Sequence, residues 1–164
     1  MPGDEQELLD QVIAYFQVRG WPIAQHDSLP MVRMELATDR AEGTMFVQIT
    51  PGRRRVVAYA ALPDRVPADR RGDVAELLVR ANGALTIGNF DLDLDEGEIR
   101  FRSGLDLGAT PLTDELIDPL VQSCLVSVGD VAPAISDVAA GRSSPKDAID
   151  AVWRDSADVD LDLR

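Results

Sequence analysis

The sequence contains few of the residues that carry catalytic or cross-linking chemistry. One cysteine and one histidine occur among its 164 residues, and aromatic residues make up only 5%. The lone cysteine, Cys124, has no partner for an internal disulfide, which agrees with a reducing cytoplasm. The sequence also lacks the G-x-G-x-x-G and P-loop patterns that bind nucleotide phosphates. We therefore expect no cofactor and no disulfide framework.

Positive charge is scarce relative to negative charge. The chain has 16 basic and 29 acidic residues, for a formal net charge of -13. Such a surface repels the phosphate backbone, so direct binding of nucleic acid is not expected. No apolar run approaches the ~20 residues that span a bilayer. The residues that follow Met1 carry neither the basic nor the apolar region of a secretory signal. These patterns predict an acidic, cytoplasmic protein without a membrane segment.

The patterns that are present predict one α+β domain. A length of 164 residues is that of a single domain with a substantial core. Apolar residues at helical spacing predict a first helix over residues 4–19 and a second over residues 68–82. Between them, alternation of apolar and polar residues predicts three strands, around residues 32–36, 44–49 and 56–62.

The segment after the second helix predicts a β-hairpin with charged pairs on one face. Three apolar residues alternate with three aspartates before Gly97, and two apolar residues alternate with two arginines after it. A loop of two or four residues keeps the charges on one face, whereas a three-residue loop would bury Glu98. Each opposed charge pair contributes ~0.2–1 kcal/mol, so these pairs help to specify the register. The predicted opposed pairs are Leu94–Ile99, Leu92–Phe101, Asp93–Arg100 and Asp91–Arg102.

The C-terminal part predicts a long helix followed by a short one. The long helix begins near Asp114, and Pro133, which cannot donate to the carbonyl four residues earlier, predicts a kink or a break. The Ser143-Ser144-Pro145 sequence is typical of a helix start, with serine as N-cap and proline at the first position. The short helix is predicted over residues 146–155, and an acidic tail follows it.

A helix this short is marginal on its own in water, so its apolar side must dock on something. Docking within the same chain and exchange with a second subunit are both open. We therefore divide the chain into residues 1–142 and residues 143–164, the second being part of the same domain or a dimer-exchange element. The candidate contacts with a second subunit or a partner are Ile149, Val152 and Trp153.

The spacing of Asp91, Asp93 and Asp95 is that of a calcium loop. An EF-hand also needs a glycine at the sixth position of the loop and a bidentate glutamate at the twelfth. Here Glu96 and Arg102 stand at those positions, and an arginine would place a cation where a ligand belongs. A solvated strand face paired with arginines explains the pattern better. We predict no metal site.

The other motifs also have simple structural interpretations. His26-Asp27-Ser28 contains the residue types of a catalytic triad, but a triad converges in space and consecutive side chains usually diverge. Cys124 lies on the apolar stripe of its helix, which predicts a buried structural thiol. The arginine run at residues 53–55 lacks interleaved aromatic residues and is typical of a solvated turn. We predict no catalytic residues.

One set of residues forms a recognisable pattern between residues 82 and 141. It consists of Asn82, Gly88-Asn89-Phe90, the Asp-Glu-Gly-Glu turn at residues 95–98, Arg100-Phe101-Arg102, Val131-x-Pro133-x-Ile135, and Gly141. This pattern resembles the YbjN domain family of bacterial sensory transduction regulators. The resemblance implies the fold of type III secretion chaperones, which are small, acidic and usually dimeric proteins that bind extended segments of other proteins. The implied fold is an antiparallel five-stranded sheet in the order α-β-β-β-α-β-β-α, plus a short C-terminal helix.

These observations predict a non-enzymatic protein-binding domain, chaperone-like or regulatory, that binds segments of a partner protein and forms a homodimer in a bacterial cytoplasm. Two alternatives stay open. A small carboxylate-based hydrolase or ligand-binding enzyme would need paired acids in a deep pocket. A nucleic-acid-associated factor acting through a protein partner would need its arginines to form one basic stripe.

Overall fold

The computed structural model describes residues 2–161, within which helices and strands alternate along the chain. The elements are α1 (Pro2–Val18), β1 (Ala24–Gln25), β2 (Met31–Ala37), β3 (Glu42–Ile49), β4 (Arg55–Ala61), a 3-10 turn (Ala68–Arg70), α2 (Arg71–Asn82), β5 (Asn89–Leu92), β6 (Ile99–Asp106), α3 (Asp114–Ala139) and α4 (Pro145–Leu161). The last helix is therefore longer than predicted. The final residues of the predicted acidic tail, 162–164, lie outside the described residues.

The strands form one antiparallel sheet in the order β1-β2-β3-β4-β6-β5. The α+β class and the antiparallel sheet are confirmed, but the prediction of five strands is wrong because β1 adds a sixth. Only two residues form this strand, which pairs at Ala24 with Arg33 and at Gln25 with Val32. A strand of two residues shows no alternation, so the sequence gives no signal for it.

One face of the sheet is buried and the other is open. In β3, Met45, Val47 and Ile49 are buried, whereas the residues between them are partly exposed, as the alternation predicted. The helices pack on the buried face, where they share one hydrophobic core with the strands. We call the opposite side the open face. Its strand residues include Met31, Arg33, Glu35, Thr44, Phe46, Gln48, Arg55, Val57, Tyr59, Asp91, Arg100, Arg102, Gly104 and Asp106.

The hairpin between β5 and β6 has a different register from the predicted one. The observed pairs are Leu92–Ile99, Phe90–Phe101, Asp91–Arg100 and Asn89–Arg102, so each residue of β5 faces a partner two positions away from the predicted one. The loop at the tip of the hairpin has four residues, which is one of the two predicted lengths, but it begins one residue earlier in the chain than the predicted register requires. The parity of the pattern holds, because Phe90 and Phe101 remain on the buried face. Leu94, however, is 63% exposed instead of packed against Ile99.

The side chain of Asp93 explains why the turn closes early. Its carboxylate accepts hydrogen bonds from the backbone N–H groups of Asp95 and Glu96, each at 2.9 Å. The N–H of Gly97 then donates to the carbonyl of Asp93 at 2.7 Å. Gly97 has a φ of +77°, which favours glycine, and a side chain there would collide with the carbonyl of Val66. In this turn the N–H of Asp93 donates to the carbonyl of Glu98 at 2.9 Å, so Asp93 lies opposite Glu98 and not opposite Arg100.

Helix α3 runs unbroken for 26 residues through Pro119 and Pro133. The chain therefore does not break at Pro133, and the predicted alternative, a kink there, stays a prediction. A proline inside a helix costs roughly 3 kcal/mol, but each fully buried aliphatic side chain contributes about 1.5–3 kcal/mol. Near Pro133, Val131, Ile135 and Val138 are buried against the core. Packing on the sheet thus compensates for the hydrogen bond that the proline cannot make.

By length and composition, α3 also reaches the size of a membrane span, although no such span was predicted from the sequence. Its most apolar 18-residue window has a mean hydropathy of 1.2, and half of that window is buried inside the domain. The helix packs against β4 and β6. A helix of the domain core therefore accounts for the same apolar pattern.

The side chain of Asn82 binds the edge strand β5 as a neighbouring strand would. Its amide nitrogen donates to the carbonyl of Phe90 at 3.0 Å, and its amide oxygen accepts from the N–H of Phe90 at 2.7 Å. The Phe90 ring meets the Phe101 ring edge to face, with centroids 5.0 Å apart. Gly88 leaves room for this pair, since a side chain there would overlap the ring of Phe101. The contact therefore joins the end of α2 to the sheet.

We expect Asn82→Ala to lower the free energy of unfolding by about 1–3 kcal/mol, because two part-buried backbone groups of Phe90 lose their partners. Guanidinium denaturation followed by circular dichroism measures this loss. Glu76→Ala is the matched control, since it removes only an exposed ion pair with Arg80 on the same helix, which is worth about 0–1 kcal/mol. Equal losses in the two variants would contradict the role assigned to Asn82.

Candidate partner-binding cavity

Helix α4, which carries the predicted contact residues, docks on α2 and α3 of its own chain. The helix starts as predicted, because the hydroxyl of Ser144 accepts from the N–H of Asp147 at 3.2 Å and donates to its carboxylate at 2.7 Å. Gly141, with a φ of +72°, turns the chain between α3 and α4. A side chain at Gly141 would collide with the guanidinium of Arg70, which packs over this turn.

The three predicted contact residues differ in exposure. Ile149 is only 3% exposed and is covered by its own chain, whereas Val152 and Trp153 are partly buried against the core. A single chain does not test whether any of them contacts a second subunit. That role stays a prediction.

A surface cavity of about 410 Å³ lies beside the C-terminal half of α3. Its other walls come from the β2–β3 loop, the start of β3, the end of β4 and the segment that leads to α2. Small residues on α3 leave this space open, since Ala132 and Ala139 lie seven residues apart on the same side of the helix. The apolar lining comprises Ala41, Leu62, Val66, Pro67, Ile99, Ala132, Ile135, Ala139 and Ala140.

Charged side chains surround the mouth of this cavity. They are two arginines, Arg40 and Arg65, and two acids, Glu42 and Asp64. Arg65 donates to the carboxylate of Glu96 at 2.6 Å, but both side chains are more than half exposed, so this pair is weak. Among the side chains that the structure describes, those of residues 4–154, Arg40 forms no ion pair. An apolar cavity with charged groups at its mouth is suited to hold an apolar side chain of another molecule. The charged groups can then contact the residues on either side of that side chain.

The aspartates of the calcium-like spacing have other partners. Asp93 caps the hairpin turn, and the N–H of Glu96, followed by that of Asp95, lowers the pKa of its carboxyl group. Asp91 accepts from the amide of Asn89 at 2.9 Å and lies 3.6 Å from Arg102. In the part of the chain that the structure describes, no three His, Cys, Asp or Glu side chains are grouped as metal ligands would be. Calcium binding was not expected, and its absence stays a prediction.

The other ionisable side chains that could carry chemistry make contacts that stabilise the fold. The Nδ1 atom of His26 accepts from the backbone N–H groups of Ser28 and Leu29, at 3.2 and 3.1 Å, so the imidazole closes a turn. Burial raises the pKa of Tyr15, and its hydroxyl donates to the carboxylate of Asp118 at 2.7 Å, which ties α1 to α3. Cys124 is fully buried, and burial raises the pKa of its thiol to about 12. A buried structural thiol is therefore confirmed.

The arginine run at residues 53–55 does not form one basic stripe. Arg54 pairs with Asp4 in α1 and donates to the carbonyl of Thr110. Arg55 pairs instead with Asp106 at 2.8 Å, on the open face of the sheet. The two guanidinium groups thus form ion pairs on opposite sides of the sheet. Because they do not share one surface, this run does not support the nucleic-acid hypothesis.

The cavity beside α3 was not predicted from the sequence. Its walls come from four segments that are up to a hundred residues apart in the chain, so no local pattern marks it. The two alanines on the same side of α3 are the only available signal, and small residues on a helix usually indicate close packing.

Comparison with known proteins gives one family match and matches to solved structures. The family model YbjN, described as "Putative bacterial sensory transduction regulator", matches residues 8–136. The crystal structure of YbjN from E. coli, described as "a putative transcription regulator", has a TM-score of 0.56 at 12% identity, over 75% of this chain and 86% of that one. At this identity the likeness shows the fold alone.

The second solved structure is the ExoT–SpcS complex from Pseudomonas aeruginosa. It has a TM-score of 0.47 at 10% identity, over 74% of this chain and 94% of that one. None of the curated proteins matches the chain in sequence.

We expect the thiol of Cys124 to be unreactive towards Ellman's reagent at pH 8 in the native protein, because its pKa is about 12 and the side chain is fully buried. The same thiol should react at once after unfolding in guanidinium, and that measurement is the control. Rapid stoichiometric reaction of the native protein would show that the thiol is accessible.

Proposed function

Since the chain belongs to the YbjN family, we propose that it is a non-enzymatic protein-binding domain, chaperone-like or regulatory, that works in a bacterial cytoplasm. It binds an extended segment of a partner protein and takes an apolar side chain of that segment into the cavity beside α3.

The single observation that carries this proposal is the apolar cavity with its charged rim. Its volume of about 410 Å³ is near the lower end of the range of roughly 300–1,000 Å³ found for ligand pockets. A space of this size suits one or two apolar side chains better than a large cofactor. The rim arginines and acids are placed to contact the residues on either side of the inserted side chain.

The ionisation pattern supports binding over the hydrolase alternative. A carboxylate-based enzyme needs acids whose pKa values are shifted within the pocket. The acids whose pKa values shift in the described part of the chain are Asp93, Asp106, Glu115 and Asp150, and none of them lines the cavity. Each shift comes from a local hydrogen bond in a turn, a helix start or an exposed pair.

Filling the cavity tests the proposal. We expect a tagged wild-type protein to retain a partner protein from an extract of its bacterial host, and Ala139→Leu to retain about tenfold less, because the added side chain occupies the cavity. The matched control is Gln122→Leu, which adds the same side chain at an exposed position of α3 and should behave like the wild type. Mass spectrometry identifies and quantifies the retained protein.

Two results would count against this function. Equal recovery with Ala139→Leu and Gln122→Leu would remove the cavity from the binding site. Failure of the wild-type protein to retain any protein would contradict the protein-binding role itself. Circular dichroism of both variants establishes that they fold.

We also propose that the protein is a homodimer and that the exposed part of Trp153 lies in the dimer contact. Light scattering at micromolar concentration should give twice the chain mass, and Trp153→Ala should raise the dissociation constant by about tenfold, because tryptophan is frequent among the residues that dominate interfaces. Val79→Ala, which alters an exposed apolar residue on α2, is the control. A monomeric full-length protein would defeat the dimer, and a protein truncated after Gly141 that stays dimeric would exclude exchange of α4.

A further inference from the structure

Four side chains form a row across the open face, perpendicular to the strands. The ladder pairs Arg33 with Phe46, Phe46 with Tyr59, and Tyr59 with Arg102. Their strand neighbours Val32, Met45, Val47, Ala58, Ala60 and Phe101 are all buried. Alternation therefore directs the four side chains of the row to the open face. We call this set the cross-strand row: an arginine at each end and two aromatic residues between them.

Depressions lie on both sides of the aromatic pair. One of about 570 Å³ is bounded by Tyr59, Arg102 and Asn89, with Gly104 at its base. The other, of about 380 Å³, is bounded by Phe46 and Arg33 and reaches the turn that contains His26. Beside Tyr59, the first depression is lined by Arg55, Arg102 and the carboxylate of Asp106. Beside Phe46, the second is lined by Arg33 and the carboxylate of Asp27. Aromatic residues and arginine are enriched in the cores of protein interfaces.

The open face differs in charge from the rest of this acidic chain. Its strands carry four arginines, Arg33, Arg55, Arg100 and Arg102, against four carboxylates, Glu35, Glu42, Asp91 and Asp106, so the face is balanced in charge, whereas the whole chain has a net charge of -13. Within the described residues, Arg100 makes no ion pair, although it lies directly opposite Asp91 in the ladder. A ligand that brings a few negative charges is therefore repelled less at this face than by the chain as a whole.

The arginines of the cross-strand row are available for other partners. Arg33 lies 3.5 Å from Glu35, with the two side chains 60% and 72% exposed, and Arg102 lies 3.6 Å from Asp91. Exposed pairs of this kind contribute about 0–1 kcal/mol. Exchanging them for the carboxylates of a ligand therefore costs little.

We propose that the open face is a second docking surface, which takes an acidic, extended segment of a partner protein. Apolar side chains of the segment pack on Phe46 and Tyr59, and carboxylates on either side of them pair with Arg33 and Arg102. The segment therefore crosses the strands, along the row. This extends the proposed protein-binding function to the opposite side of the sheet from the cavity, and it does not depend on the cavity.

The geometry of the sheet sets the spacing of the carboxylates. Neighbouring strands are ~4.8 Å apart, so the ends of the row are about 14 Å apart. An extended chain advances ~3.3 Å per residue, so about four residues cover this distance. The segment then carries acids at positions i and i+4 with apolar residues between them.

A protein segment fits this surface better than single-stranded nucleic acid does. Aromatic residues and arginines on a sheet also stack on bases. A nucleic acid, however, brings one negative charge for every nucleotide towards a protein with a net charge of -13 and towards four carboxylates on the face itself. A segment with two carboxylates satisfies the two arginines without that repulsion.

The test compares two fluorescein-labelled peptides, Gly-Asp-Leu-Phe-Leu-Asp-Gly and Gly-Asn-Leu-Phe-Leu-Asn-Gly, by fluorescence anisotropy with the full-length protein. The first should bind about tenfold more tightly than the second. Replacing both arginines, Arg33→Ala with Arg102→Ala, should remove this preference, and replacing both aromatics, Phe46→Ala with Tyr59→Ala, should weaken binding of both peptides. The control variant, Arg80→Ala with Arg142→Ala, removes two paired arginines of the helical side and should bind like the wild type.

A measurement on the unaltered protein guards against variants that fail to fold. The amide resonances of the ¹⁵N-labelled wild type should shift in β3, β4 and β6 when the aspartate peptide is added. The cavity variant Ala139→Leu should still bind the peptide, which separates this surface from the site proposed above.

Four results would overturn the proposal. These are equal binding of the two peptides, shifts that lie away from the open face, and binding of a twelve-nucleotide thymidine oligomer that requires Phe46 and Tyr59. The fourth is a fall from dimeric to monomeric mass when both aromatics are replaced, which would assign the open face to a second copy of the chain.

Discussion

The hydrophobic contact between the helices and one face of the sheet determines the rest of the architecture. Val56 and Phe101 are fully buried there. Because successive side chains point to opposite faces of a strand, the strands that supply this core must also display their intervening residues on the other side. The same contact keeps α3 helical over β4 and β6 past two internal prolines. The core, the unbroken helix and the display of arginine and aromatic residues on the open face therefore have one physical origin.

The sequence allowed the parts of the fold that depend on periodicity to be predicted. The faces of β2 to β4 and the start of α4 follow from alternation and from capping residues. The register of the β5–β6 hairpin did not follow, because the carboxylate of Asp93 closes the turn by accepting from two backbone N–H groups, and side-chain alternation does not reveal this contact. The course of α3 past Pro133 was decided by packing against the sheet, which no local rule contains.

The candidate binding surfaces were less accessible from the sequence than the fold. The cavity beside α3 is assembled from distant segments, and the cross-strand row requires the register of four strands to be known. The residues by which the chain resembles its family are structural: Asn82 binds an edge strand, and Gly88, Gly97 and Gly141 stand where a side chain would collide with a neighbour. That pattern therefore identifies the fold and leaves the binding surfaces free to differ.

An unpaired strand edge is a template on which a further strand can form, and a sheet with two such edges can polymerise. On one side of this sheet, Asn82 occupies the outward N–H and C=O groups of Phe90, so the four-residue strand β5 offers little main chain to an incoming strand. On the other side, β1 pairs with Arg33 and Val32, and Met34–Ala37 have no strand beyond them among the described residues. Pairing through that edge joins two sheets and leaves no comparable edge for a third. The domain thus resists fibre growth while it keeps the open face and the cavity beside α3 available for binding.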